Sequence, residues 1–463
     1  MKRRSALKLL PFSFAGLAAL PLRAAAWGKG PLGLEYTAKV RDRLERIKHT
    51  QSEEMLEASY MIADTVKNGG TCFYEWDLGH GTEYDIWPDR PGDTSILTHG
   101  IPNNIKRGDL ALIDSYFEDQ IRDFRKKGVF LIAGPRPWGG ENIGSELLLP
   151  EFRKMRLKPY ADLWIENYST SYGAIMDIPG ETAPMAPVSG VIGMMTLWMM
   201  ISDAARILAR DGVTFDVYGR EPELGNDDVN VDMSRPLGEV YYDTAIRQQR
   251  AIDDDIDRID AIAAMAVHSV FTGGRVYVYS RYERNLCGEG TVRRGGLALT
   301  NGVYGPPDNL RLMDDPIQLG KIDLTFRPTD KDMVIMGGGY PDDPEDLASL
   351  EIFRKAGMGV CFIGPATKNG EIPPGKTVAK EADIHVGDMF DSYGLFALPG
   401  IKRKVAPTSG LVMNQIFWVI NCQIAQQVIE RTGNAPCVYL SGALQGGMEK
   451  LNENKRILRE RGY

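Results

Sequence analysis

Residues 186–212 read APVSGVIGMMTLWMMISDAARILARDG, and residues 406–433 read APTSGLVMNQIFWVINCQIAQQVIERTG. Ser189 stands opposite Ser409, 220 residues further on. A repeat of that period is too long for a solenoid unit. It points to two related halves, with function to be sought within or between them.

Other blocks agree in order. IADTVKNGGTCFYEW (62–76) matches AAMAVHSVFTGGRVYVYS (263–280), and KRGDLALIDSY (106–116) matches PTDKDMVIMGG (328–338). RKKGVFLIAGPRP (125–137) matches RKAGMGVCFIGPAT (354–367), and YADLWIEN (160–167) matches EADIHVGD (381–388). The offset drifts between blocks, so insertions fall in connections. CFYEW and VYVYS are short β-branched and aromatic runs bounded by turn residues, which read as strands. LALID, VFLIA, DLWIE, MVIMG, GVCFIG and DIHVG are mainly apolar runs, as strands covered on both faces are. Strands alternating with helices predict an α/β fold: two tandem doubly wound parallel sheets, three-layered and flavodoxin-like, related by internal duplication. Such sheets bind ligands at the carboxyl ends of their strands. The apolar run 191–201 reads as a buried core or half-to-half packing helix rather than a membrane segment.

The start of the chain has the grammar of an address. Arg3-Arg4 opens a twin-arginine pattern, an apolar run follows from Leu9 to Leu22, and Ala24-Ala25-Ala26 offers a cleavage site. The expected organisation is a signal peptide at 1–26, one domain at 27–235 and a second at 236–463, with a periplasmic or secreted product. Removing residues 1–26 takes away five cations and moves the formal charge from −8 to −13. An acidic chain with no basic cluster argues against nucleic acid and, once the signal is cleaved, against a membrane surface. Five cysteines without CxxC spacing exclude a complete disulfide framework; Cys72 and Cys361 fall in expected core strands as buried thiols.

In each half the order of these motifs resembles the sugar isomerase (SIS) domain, the phosphosugar-binding fold of phosphoglucose isomerase and of the isomerase half of glucosamine-6-phosphate synthase. The residues that carry the likeness are IADTVKNGG, TCFYEW and DLGHG, then APVSG at 186–190 and APTSG at 406–410. Ser441, Gly446, Gly447, Glu449 and Asn452 match the closing motif, and residues 225–230 echo it weakly. The resemblance implies a site of hydroxyls and helix N-terminal N–H groups facing a sugar derivative, with a Glu or His moving a proton. It implies no cofactor and no metal.

On this reading Asp77, Gly79 and His80 follow the first strand of the first half, and Ser115 follows the next core strand. Glu181, before the long apolar helix, is the candidate base, with His80 as proton shuttle. Ser189 and Ser409 are expected to cap their helices, each worth about 1 kcal/mol, and to be compatible with a ligand contact there. The second half offers Ser280, Arg281 and Arg284, with Arg293 and Arg294 close behind, as a bidentate anion site; the plainer alternative is surface pairing with Glu283 and Glu289. His99 is a further candidate, while His268 and His385 read as structural. The family's hydroxyl-rich phosphate loop is reduced to Ser115 in the first half and to Gly337-Gly338-Gly339 in the second, which favours unphosphorylated sugars. The function expected is therefore binding of a sugar or sugar derivative, with cofactor-independent isomerisation as its catalytic form. A binding protein with a decayed isomerase site, or a metal enzyme around His80, Asp77 and Glu83, are the alternatives. The halves are expected to pack as a pseudo-two-fold pair, and a further homodimer is compatible with that arrangement.

Overall fold

The computed structural model describes residues 30–463 apart from 77–84, 87–89, 115–117, 136–138, 142–143, 171–172, 182–183, 220–222, 226–227, 292–294, 314–324, 369, 388, 391–393 and 441. A long helix, α1 (Leu32–Lys67), leads into five strands: β1 (Cys72–Glu75), β2 (Leu97–His99), β3 (Leu110–Ile113), β4 (Phe130–Ala133) and β5 (Leu163–Trp164). The helix α2 (Glu118–Lys127) lies between β3 and β4. A short antiparallel pair, β6 (Ala174–Met176) and β7 (Met185–Pro187), then delivers the chain to α3 (Ser189–Arg210).

Residues 237–461 form a second set of helices and strands. Helices α4 (Leu237–Asp254) and α5 (Ile256–Phe271) replace the single α1, with a break at Asp255. Then come β8 (Val276–Ser280), α6 (Arg284–Thr291), β9 (Thr300–Tyr304), β10 (Arg311–Leu312), β11 (Met333–Gly337), α7 (Pro344–Lys355), β12 (Gly359–Ile363), β13 (Ile384–Val386), α8 (Ser409–Thr432) and α9 (Gly447–Arg461). The first sheet has the order β2-β1-β3-β4-β5, all parallel. The second has β10-β9-β8-β11-β12-β13, parallel except for the antiparallel edge β10. The first sheet and the five parallel strands of the second have the flavodoxin-like order, in which the strand sequence reverses beside the first strand. The α/β class with parallel sheets therefore stands as expected. Strand β2, at one edge of the first sheet, and β9 and β10, on one side of the second, were not read from the sequence, because they carry no long apolar run.

The period-2 pleat explains how each sheet is covered on both sides. Val276, Val278, Met333, Ile335, Cys361 and Ile363 face the large central core, whereas Tyr277, Tyr279, Val334, Met336 and Phe362 face Phe353 of α7. In the first sheet Leu110, Leu112 and Ile132 face the central core, and Ala111, Ile113 and Leu131 face Ile121 and Phe124 of α2. The central core is made by α1, α3, α4, α5 and α8 together, and it joins the two sheets. The apolar window of α3 is entirely buried there, so its hydropathy reflects a core helix, as the sequence implied. All five cysteines are buried free thiols. Burial raises Cys72 and Cys287 to about 12, which keeps them protonated and unreactive.

Candidate functional site at the junction of the halves

The chain enters α3 and α8 through the same unusual turn. Ala186 and Ala406 have φ of 57° and 62°, in the left-handed region that L residues avoid. The amide of Ala186 donates to Gly295 O, and that of Ala406 donates to Gly92 O. Each alanine is thus held by a loop that follows the first strand of the other half. One residue on, the carbonyls of Pro187 and Pro407 accept from the hydroxyls of Tyr36 and Tyr241 at 2.6 and 3.0 Å. Strain of this kind persists only where surrounding contacts over-determine it.

Around the start of α8 these contacts form a buried ionic cluster. Arg90, from the loop after β1, is wholly excluded from solvent. Its guanidinium meets Glu283 at 3.0 Å and Asp85 at 3.2 Å. Ser409 Oγ donates to Glu283 Oε1 at 2.5 Å and accepts from Arg90 at 3.2 Å. The indole N–H of Trp198 donates to Asp85 Oδ2 at 2.5 Å. Ser280 Oγ accepts from the Glu283 amide at 3.1 Å, which fixes the turn that leaves β8. Two carboxylates share one guanidinium in a low-dielectric place. Burial pushes the Asp85 carboxyl up to about 6; Arg90 opposes that rise and Glu283 adds to it.

Glycine makes the approach possible. A Cβ on Gly410 would lie 1.8 Å from Asp85 Oδ1, and one on Gly190 would lie 2.6 Å from Glu289 Oε1. At both helix starts a carboxylate of the other half sits against the second residue of the helix, where the helix dipole favours negative charge. Ser189 and Ser409 are the first residues of their helices; the N-cap positions are Val188 and Thr408, and neither makes a side-chain cap bond. The capping role expected of the serines is thereby corrected. The Ser409 hydroxyl is turned into the ionic cluster and is not free to accept from its own helix.

The strand ends of the second half are committed to each other. Arg281 pairs with Glu345 and lies over the Tyr282 ring at 4.9 Å. Glu283, named in the alternative reading as a surface partner, is buried on Arg90. Arg284 begins α6 and is half-buried. Asp343 caps α7, its carboxylate accepting from the amides of Glu345 and Asp346 at 2.9 and 3.0 Å. The first turn of α7 carries Glu345 and Asp346, and that of α2 carries Glu118 and Asp119. In both halves the helix after the central strand therefore opens with carboxylates.

Asp77, Gly79, His80, Glu83 and Ser115 lie outside the described residues, as do Arg293 and Arg294. Glu181 is described, and its carboxylate meets Lys450 Nζ of α9 at 3.2 Å. Lys402, from the matching loop of the second half, meets Glu223 at 3.2 Å. Each loop is thus tied to the tail that follows the long helix of the other half, with the charges reversed. His99 ends β2 and packs edge-on against Tyr74 at 5.2 Å. His385 bonds Gly364 O at 2.7 Å and stacks on Phe362, and His268 is on the exposed side of α5. Among the described residues no group of three or more His, Cys, Asp or Glu side chains is placed to hold a metal.

Sequence reasoning missed Asp85, Arg90 and Trp198, which do not match between the halves as a recognisable motif. It also missed a clear signal. PLGLEY at 31–36 and PLGEVY at 236–241 share Pro, Leu, Gly and Tyr, 205 residues apart. The leucine and glycine amides of each seat the leading helix on the other half, and the tyrosine reaches the proline carbonyl that precedes the long helix of its own half.

No family model matches the chain. A UPF0309 protein from Geobacillus sp. (strain WCH70) is 23% identical over 227 residues, covering 42% of this chain and 91% of the relative. A proposed phosphosugar isomerase from Silicibacter pomeroyi DSS-3 is similar in structure, with a TM-score of 0.45 and 8% identity over 88% of this chain and 99% of the other. The C-terminal domain of glucosamine-fructose-6-phosphate aminotransferase from Francisella tularensis gives a TM-score of 0.42 and 10% identity over 88% and 99%.

Proposed function

We propose that this chain is an exported SIS-like protein of two tandem, duplicated halves that binds an unphosphorylated sugar or sugar derivative. The observation that carries the choice of ligand is the acidic opening of α2 and α7. A phosphate at a helix N-terminus needs free N–H groups and a positive potential. At α7 the N–H groups of Glu345 and Asp346 are already taken by Asp343. Glu345 also neutralises Arg281. A dianionic phosphate there would face carboxylates, whereas a neutral sugar would not.

Binding without chemistry is the form favoured by the placement of Glu181. A general base must reach the proton it takes, and this carboxylate is held by Lys450. The test is a thermal-shift screen of the mature chain, residues 27–463, against neutral sugars, sugar acids and sugar phosphates. A ligand that prefers the native state raises the melting temperature. Neutral sugars or sugar acids are expected to do so and sugar phosphates are not. A shift with sugar phosphates alone would overturn the assignment, and turnover of the bound sugar observed by NMR would restore the isomerase reading. Cell fractionation with the mass of the processed chain tests export.

A further inference from the structure

Three carboxamides of the second half are buried without a partner. Gln249 on α4 and Asn414 and Gln415 on α8 are fully excluded from solvent. Neither the oxygen nor the nitrogen of any of the three meets a hydrogen-bonding group of the protein. The indole N–H of Trp418, one turn beyond Asn414, is in the same state, as is Oδ1 of Asn421. Asn414, Trp418 and Asn421 share one helix face by their spacing. Buried polar groups are as a rule hydrogen-bonded, and each exception calls for a reason.

The first half offers a control. With the offset of 220 that relates Ser189 to Ser409, the counterparts of Asn414 and Gln415 are Met194 and Met195. With the offset of 205 that relates Tyr36 to Tyr241, the counterpart of Gln249 is Leu44. The same core position is filled by apolar side chains in one half and by carboxamides in the other, so packing alone does not require amides. The contacts of α8 place them. Met413 lies against the Cβ position of Gly337, the last residue of β11, so α8 passes the carboxyl edge of the sheet there. Tyr241 reaches Pro407, and Asp260 accepts from Gln423 and Gln427. Gln249 falls between those two anchors on one side, as Asn414 and Gln415 do on the other.

We infer that Gln249, Asn414 and Gln415, with the Trp418 indole beside them, form a binding site for a neutral, hydroxyl-rich small molecule of the monosaccharide class. Each carboxamide supplies two donors and two acceptor lone pairs and no charge, which suits hydroxyls that both donate and accept. The charges around Ser409 and Gly410, one turn before Asn414, are Asp85, Arg90 and Glu283, and these are occupied with one another. The inference rests on the sugar-binding function proposed above and names where in the second half the sugar is held.

The experiment uses the mature chain and its variant Asn414→Met/Gln415→Met, which installs the residues of the first half. Both are melted with and without neutral aldohexoses and N-acetylhexosamines. The unliganded variant should melt at the same temperature as the wild type or a few degrees higher, since buried unpartnered amides are removed. Its affinity for the sugar that shifts the wild type should fall at least tenfold. An equal shift in both proteins would overturn this site and leave sugar binding standing. No shift of the wild type by any neutral sugar would overturn the sugar-binding reading and this site with it. Gln249→Leu gives the same test from α4 if the double variant does not fold. A crystal structure with ordered water alone at the carboxamides, and the sugar elsewhere, would also overturn it.

Discussion

Asp203 and Gln423 stand 220 residues apart and hold the leading helix of the other half by its first turn. Gln423 Oε1 accepts from the Gly33 amide at 2.9 Å, and the Asp203 carboxylate accepts from the amides of Leu237 and Gly238 at 2.9 and 3.0 Å. Neither helix has a side-chain cap of its own; both begin after a proline. The free N–H groups of each first turn are thus satisfied across the junction. The glycines are needed for the approach, since a Cβ on Gly33 would lie 2.6 Å from Val419 and one on Gly238 would lie 2.7 Å from Asp203.

Asp203 does more than Gln423, because it is charged and also pairs with Arg206 at 2.9 Å. Asp203→Ala leaves Arg206 buried and two amides unpaired, so a loss of about 3 kcal/mol is expected. Gln423→Ala should cost about 1 kcal/mol. Urea unfolding of the two variants measures the difference, and equal losses would argue against the charged cap.

Gly410→Ala reverses an ordinary rule. Alanine in a helix is normally better than glycine by about 1 kcal/mol. Here the added methyl would collide with Asp85, Arg90 and Asn285. We expect Gly410→Ala to destabilise by at least about 2 kcal/mol, and Gly190→Ala to do the same less severely. A stabilised Gly410→Ala variant would show that the loop after β1 does not pack on α8 as described.

Asp85 gives the junction a pH dependence. Its carboxyl is raised from 3.8 to about 6, mainly by burial. A group whose folded value is raised contributes stability in full below its unfolded value and loses that contribution as pH climbs through the folded one. The loss should run from about pH 4 to pH 6 and amount to about 3 kcal/mol. Arg90, Glu283, Trp198 and the Tyr241 hydroxyl face this group, and Asp85→Asn should flatten the profile over that window. Denaturation midpoints measured every half pH unit decide it; parallel profiles for the two proteins would remove Asp85 as the cause.

The sheets were legible because each core strand is a short apolar run between turn residues and because the halves repeat in order. Strands β2, β9 and β10 were not, since LTH, TNGVY and RL carry no apolar run. The helix starts at Ser189 and Ser409 were placed within one residue, but their side chains were misassigned. A serine before an apolar helix reads as a cap, and only the left-handed turn at Ala186 and Ala406 shows that the cap falls one residue earlier. Arg90 and Asp85 drew no reading and Glu283 read as a surface charge, because burial of an ion triad depends on contacts between residues nearly 200 positions apart.

Glu181 read as a base because the resemblance implies a carboxylate near the sugar just before the long apolar helix. The structure gives Glu181 and Lys402 partners on the tails instead, Lys450 for Glu181 and Glu223 for Lys402. The two roles separate in a double-mutant cycle. If Glu181 docks the tail, Lys450→Met and Glu181→Gln should each lower stability, with a coupling of about 1 kcal/mol between them. Glu181 has only 6% and Lys450 18% of its side chain exposed, so screening is weak and the value should exceed that of the open Lys402–Glu223 pair. Sugar affinity should be unchanged in both variants. Additive losses, together with a sugar-binding or turnover defect confined to Glu181→Gln, would return this carboxylate to the site.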